Sequence, residues 1–490
     1  MIYICVIGGV VAVLLTVTIF KALTVKNQAD FLVAGRKLPW WVLVSTLLCS
    51  WIGAGSLFAG AENATRIGFA ALWQPAGGWV GLILIFTIAG RARRFAQYTV
   101  PDLLENRYNT AARVLGTIAI VIAYTMITSY QMKAGGDILH LIFPDLDRMR
   151  AMYMVAGFVI AFTAGAGMAS VAYLDLVIGA LVTAIVLYAF PVLLHGAGGW
   201  AAVRHALPAS RFEVLGGISF ERALGLMIPT TLLLIGNQGM YQKFFSARSE
   251  RDAKIAAGGW IVSTLILETV IISIAVVGSS MFHPEQAREI IPYTARHGLP
   301  RLAGALLLGG IFAKLISTAN NYLFSPATNL IHDVYQRFID APPSQRNLTV
   351  GPMEMELRQR RWERRNLIVS RLVVVALGIY AVLQATQFES ILSASLYAYT
   401  VYGAAVTPAV MAVFFWKRAT TAGAVTSIAL GTAITVLWNL AGNPWGWDAI
   451  HPALAVSVAS LVLVSLAGRP PAKEKWAPFF EPAAVSEPRP

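Results

Sequence analysis

Apolar stretches near the ~20 residues that a helix needs to cross a bilayer recur along this chain. They lie at about 2–24, 38–62, 69–90, 114–136, 150–168, 171–195, 223–241, 256–281, 300–332, 367–386, 390–416, 421–441 and 450–467. In hydrocarbon, backbone N–H and C=O groups must be satisfied without water, which for such runs means helix. The expectation is an all-α integral membrane protein of about thirteen transmembrane helices. It forms one domain over 1–468, followed by a disordered cytoplasmic tail at 469–490. Composition agrees, with 57% hydrophobic and 13% charged residues, against about 25% charged in soluble domains. The first stretch has no early basic residue and no small-residue cleavage site, so it reads as a retained helix and not a signal peptide.

Basic residues set the expected orientation, because short loops rich in Lys and Arg stay cytoplasmic. One alternate set of loops (21–37, 91–113, 242–255, 333–366, 417–418 and the tail) carries about 26 Lys and Arg; the opposite set carries about nine. This places the N-terminus outside and the C-terminus inside a bacterial inner membrane. The net charge of +13 is explained by such loops facing anionic headgroups, and not by nucleic acid. Cys5 and Cys49 both sit in apolar runs, and no histidine pair has ligand spacing. No nucleophile–base pair or metal set points to an enzyme or to a cofactor.

Three basic residues, Lys133, Lys314 and Arg371, stand within apolar runs. An ammonium at membrane depth is costly, so Lys314 must face a partner or a cavity. Ser317, Thr318 and Asn321 follow it at helical spacing, and Ser325, Thr328 and His332 continue the same face. Another lysine, Lys133, has Asp137 one turn later, the spacing of an i, i+4 ion pair.

Two stretches carry internal breakers: Gly53 and Gly55 in the second, and Pro229, Gly236 and Gly239 in the seventh. They are five apart, and an odd offset reverses their direction across the membrane. Inverted repeats that each open on a broken helix bind substrate and ions at the midplane. The core is therefore expected over 38–418, with a 5+5 inverted repeat at about 38–195 and 223–418 and with broken first and sixth core helices. The connection at 333–366, with Pro342-Pro343 and a run of arginines, reads as a solvated loop or as a docking point for a cytoplasmic partner.

Several segments resemble the sodium:solute symporter family, which has the LeuT-type fold. They are Asp30-Phe31-Leu32-Val33-Ala34-Gly35-Arg36-Lys37-Leu38-Pro39-Trp40-Trp41, Trp51-Ile52-Gly53-Ala54-Gly55-Ser56, the stretch 167–203, Gln242-Lys243-Phe244-Phe245-Ser246-Ala247-Arg248-Ser249, Ser317-Thr318 with Asp333-Val334-Tyr335, and Phe414-Phe415-Trp416-Lys417-Arg418-Ala419-Thr420. The resemblance implies a secondary transporter working by alternating access. It also implies a sodium site made by the carbonyls of Cys49 and Ile52, the hydroxyls of Ser317 and Thr318, and the carbonyl three residues before Ser317. That last position is Lys314, where a small residue is usual. Asp175 matches an acid that helps some members hold a further sodium, but the hydroxyl positions beside it are Asn320 and Asn321 here.

The resemblance leaves three readings of Lys314: a structural ion pair, a stand-in for sodium with Asp175 as counter-ion, or a bystander to an intact sodium site. The coupling ion is accordingly Na+, H+ or none. A small organic solute is expected between the broken stretches, near Ser50, Ser56, Gln74, Gln131, Asn237 and Gln238, with Tyr397, Tyr399 and Tyr402 as gate candidates. Leu232, Leu233 and Leu234 occupy the aromatic gate positions of sugar-transporting relatives, which disfavours a sugar. A transporter-like sensor is the reading from a different class.

Overall fold

The computed structural model describes residues 1–24, 38–95, 99–343, 346 and 351–480. The Asp30–Lys37 part of the opening motif lies outside them. The described residues are mostly helical. In order run α1 (Ile2–Thr24), α2 (Trp40–Trp51), α3 (Gly60–Ile67), α4 (Trp73–Phe95), α5 (Val100–Arg107), α6 (Thr110–Ile142), α7 (Arg148–Gly196), α8 (Phe220–Gly236) and α9 (Gln238–Phe245). Then follow α10 (Glu250–Met281), α11 (Arg301–Asn329), α12 (Pro352–Ala385), α13 (Ile391–Ala405), α14 (Thr407–Phe415), α15 (Thr421–Leu440), α16 (Ile450–Ala467) and α17 (Lys473–Phe480). Local chemistry sets many starts: Asn109 caps α6 by accepting from Ala112 N at 3.0 Å, and Ser249 caps α10 by accepting from Asp252 N at 3.0 Å.

Among the described residues nine helices are long and apolar enough to cross a membrane, or ten with the bent pair α13–α14 as one span. The exact count of thirteen is not confirmed, and two local differences bear on it. The stretches expected at 38–62 and 69–90 redivide into a short α2 and a run from Gly55 to Ala89, turned at Gly68, whose φ of 61° suits only glycine readily. The break expected between 168 and 171 is absent; α7 is continuous through it, and its one proline, Pro191, lies near the far end.

Both expected helix interruptions are present. After Trp51 the backbone extends at Ile52 (φ −77°, ψ 103°) before a π-helical turn over Gly55–Ala59. After Gly236 it extends at Asn237 (φ −57°, ψ 109°) and restarts as α9. Glycine is needed at the first break because a Cβ on Gly53 would lie 2.9 Å from Gln131 Nε2 and 3.0 Å from Thr318 Cγ2. A parallel bridge joins Leu38 to Ala247, with Arg248 N donating to Leu38 O at 2.9 Å, so the approach to the first broken helix is tied to the exit of the second.

Three expectations are corrected by packing. Lys133 and Asp137 do not pair: Arg288 reaches Asp137 with two nitrogens, at 2.7 and 3.3 Å, and Lys133 donates to the Phe388 carbonyl. A forked guanidinium suits a carboxylate better than a point charge one turn away. The arginine run of 333–366 is not loop but the start of α12, where Arg358–Glu354 and Arg360–Glu356 pair at 2.6 Å. The tail is ordered over α17, whose Phe479 is buried edge-on to Phe414, while Lys417 lies over the Trp476 ring at 4.7 Å.

Candidate functional site

The last carbonyls of a helix lack intrahelical partners and carry the negative end of its dipole. At the end of α2, carbonyls of its last two turns are met from two directions. Lys314, in the middle of α11, donates to Leu48 O at 3.2 Å, and Thr318, one turn on, donates to Cys49 O at 3.1 Å. From α9, Lys243 donates to Thr46 O at 2.6 Å and to the Ser50 hydroxyl. Both lysines are enclosed, at 1% and 5% exposure. Their amines therefore receive backbone dipoles in place of water.

Asp175, on α7, is fully buried beside them. Its carboxylate accepts from Thr46 Oγ1 at 2.7 Å and from the Ser317 hydroxyl, and its backbone carbonyl accepts from Ser45 at 3.0 Å and from the Cys49 thiol at 3.1 Å. Lys314 and Asp175 form no ion pair among the described residues. They share the cluster through α2 and through Ser317. Ile52 is the extended residue of the break itself, and its N–H bonds Leu48 O at 3.0 Å. Asn321 donates to Ser317 O at 3.0 Å, within its own helix.

The six residues expected at a solute site separate. Ser56 and Gln74 line a cavity with Trp51, Thr230, Glu268 and Tyr399. Ser50 and Asn237 line another with Tyr124, Lys243, Asn321 and Tyr322. Gln131 joins neither; its Oε1 accepts from Ala54 N at 2.8 Å and holds the unwound strand. Gln238 points elsewhere, to Ser325 Oγ at 2.9 Å and to Asn329. At the second break Tyr241 donates to Ile235 O at 2.9 Å and Tyr402 to Gly236 O, so two tyrosines satisfy carbonyls freed by the interruption. Tyr399 donates no such bond but stands against Gly55, and Tyr397 lies in an outer pocket with Arg222 and Asp448.

The model of the sodium:solute symporter family matches residues 31–431. The chain belongs to this family. Among curated relatives of this symporter, the high-affinity proline transporter PutP of Bacillus subtilis is 24% identical over 91% of this chain and 94% of its own. The sodium/proline symporter of Staphylococcus aureus is 23% identical over 90% and 87%. The fold is that of a solved Na+-coupled sialic acid symporter, with a TM-score of 0.77 at 16% identity over 96% of this chain and 98% of that one. Mhp1, a nucleobase-cation-symport-1 transporter, matches at a TM-score of 0.59 and 11% identity over 93% and 98%. The symporter is thus a multi-pass membrane protein of LeuT-type fold with a broken helix in each half.

Two charged groups of the symporter's interior escape a tally of basic loops. Lys243 falls within 242–255, counted as cytoplasmic, yet the restart of the helix at Gln238 keeps it inside the bundle. Glu268 interrupts the apolar run Leu265-Ile266-Leu267-Glu268-Thr269-Val270 and is 3% exposed. An intramembrane carboxylate is a signal of its own, and a count of Lys and Arg passes over it.

Proposed function

We propose that this symporter imports a small organic solute by alternating access, and that the Lys314 ammonium takes the place that the family resemblance gives to a coupling sodium. Transport is then proton-coupled or ion-independent. The observation that carries this reading is the bond from Lys314 Nζ to Leu48 O at the end of α2, one residue before the Cys49 carbonyl. Two enclosed ammoniums, Lys314 and Lys243, and one carboxylate, Asp175, leave the cluster with the single positive charge a sodium would bring. Ser317 is engaged with Asp175, so that hydroxyl already has a protein partner.

A second reading keeps sodium coupling at Cys49, Ile52, Ser317 and Thr318. The 3.1 Å approach of Thr318 Oγ1 to Cys49 O favours it, because it brings two of those groups together across α2 and α11. The asymmetry of Lys and Arg between alternate loops supports an N-terminus outside and a C-terminus inside. L-Proline is the first solute to try, since the relatives carry it by name. Uptake into proteoliposomes, with a sodium gradient and a pH gradient imposed separately, tests the coupling. Uptake that ignores sodium supports the lysine reading. Strong sodium dependence with a pH-insensitive rate sinks it.

A further inference from the structure

The cavity beside the first break is lined by an acid that the coupling cluster does not use. Glu268 Oε1 accepts from Trp51 Nε1 and Ser56 Oγ, both at 3.0 Å, and Oε2 accepts from Trp79 Nε1 at 3.0 Å. All three partners can donate, and an ionised carboxylate, an acceptor-only group with about four lone-pair sites, accepts all three. Three are filled. No Lys, Arg or His forms an ion pair with Glu268 among the described residues, so a charge on it is hydrogen-bonded but not neutralised by the protein. A buried charge of that kind is costly unless an opposite charge reaches it.

A second group points the same way. Gln74 lines the same cavity at 4% exposure, and its Oε1 is buried with no hydrogen-bond partner among the described residues. Trp51 and Tyr399 also line the cavity and offer aromatic surface of the sort that attracts cations. The missing components are a positive charge and an N–H donor.

We propose that Glu268 and Gln74 form a subsite for a protonated amine, so that the transported solute carries a primary or secondary ammonium. The inference rests on the transport reading above for the identity of the cavity, and it narrows the solute from small organic molecules in general to amine-bearing ones. A simple carboxylic acid lacks what this cavity lacks.

The test is binding, read without any ion gradient, by thermal unfolding of the full chain in nanodiscs. Ligands that bind the native state raise its unfolding temperature by mass action. The probes are L-proline, pyrrolidine, ethanolamine, and cyclopentanecarboxylate, which keeps the ring and acid of proline without the ammonium. The expected result is a shift with one or more of the amines and none with cyclopentanecarboxylate. Glu268→Gln, and separately Gln74→Leu, is expected to weaken the apparent affinity for the amine at least tenfold. A shift from cyclopentanecarboxylate equal to that of the amines, an amine response that survives in both variants, or no response to any amine overturns the proposal. Amine binding without uptake leaves the subsite standing and defeats transport; uptake with binding indifferent to the amine does the reverse.

Discussion

Asp175 shows how much one side chain can hold in place when water is excluded. Its two oxygens take the hydroxyls of Thr46 and Ser317, which fasten α2 and α11 to α7, and it is the acid of the cluster that contains Lys243 and Lys314. Hydrogen bonds to a charged group contribute about 1.5–3 kcal/mol, and losing one partner of a buried network costs more than losing both. Asp175→Asn is therefore expected to lower the unfolding temperature measurably, and Lys243→Met added to it to recover part of that loss. A double-mutant cycle with a coupling energy of about 0.5–3 kcal/mol is the expected reading. Additive losses would show that Asp175 and Lys243 do not sense each other.

At the scale of the element, the interruptions were readable because glycine and proline have few other uses in the middle of a membrane helix. Gly53, Gly236 and their neighbours mark both breaks where the backbone extends. What fills the gaps was not readable. Gln131 bonding Ala54 N and Tyr402 bonding Gly236 O come from helices remote in sequence, with separations of 77 and 166 residues. Gly53→Ala tests the close approach. Its Cβ would press on Gln131 and Thr318, and overpacking of this kind costs roughly 1–3 kcal/mol. Uptake is expected to fall several-fold while the protein still folds and inserts, as checked by size-exclusion profile and transport rate together. Unchanged uptake would mean that the strand is not held by Gln131.

Over the whole molecule, a buried arginine joins elements at the end expected to face the cytoplasm. Arg113 on α6 pairs with Asp102 at 2.6 Å, with Asp333 at 2.6 Å and with Glu105. The carboxyls belong to α5 and to the helical turn that continues α11. Burial alone raises the pKa of Glu105, but the Thr110 hydroxyl, Arg113 and Arg337 outweigh it and hold it below the usual 4.5. A depressed carboxyl contributes stability that is fully present above its unfolded pKa and is lost as pH falls through the folded value. Arg113→Met leaves buried acids unpaired, a loss of about 3–5 kcal/mol in comparable networks. It is expected to lower the unfolding temperature strongly at pH 7 and less at pH 4. An equal loss at both pH values would remove Glu105 from the account.

Sequence alone determined the solvent of this protein, its helical class, the two broken helices and the family, because hydrocarbon admits few backbone forms and breakers inside membrane helices are conspicuous. It also singled out Lys314. The partners were decided only in three dimensions. Lys314 meets a carbonyl 266 residues away, at Leu48, and Asp175 takes hydroxyls in place of the ammonium expected for it. Lys243 and Glu268 turn inward because of where the chain restarts and which helices flank them. Periodicity says which face of a helix is polar, but only packing sets what that face meets.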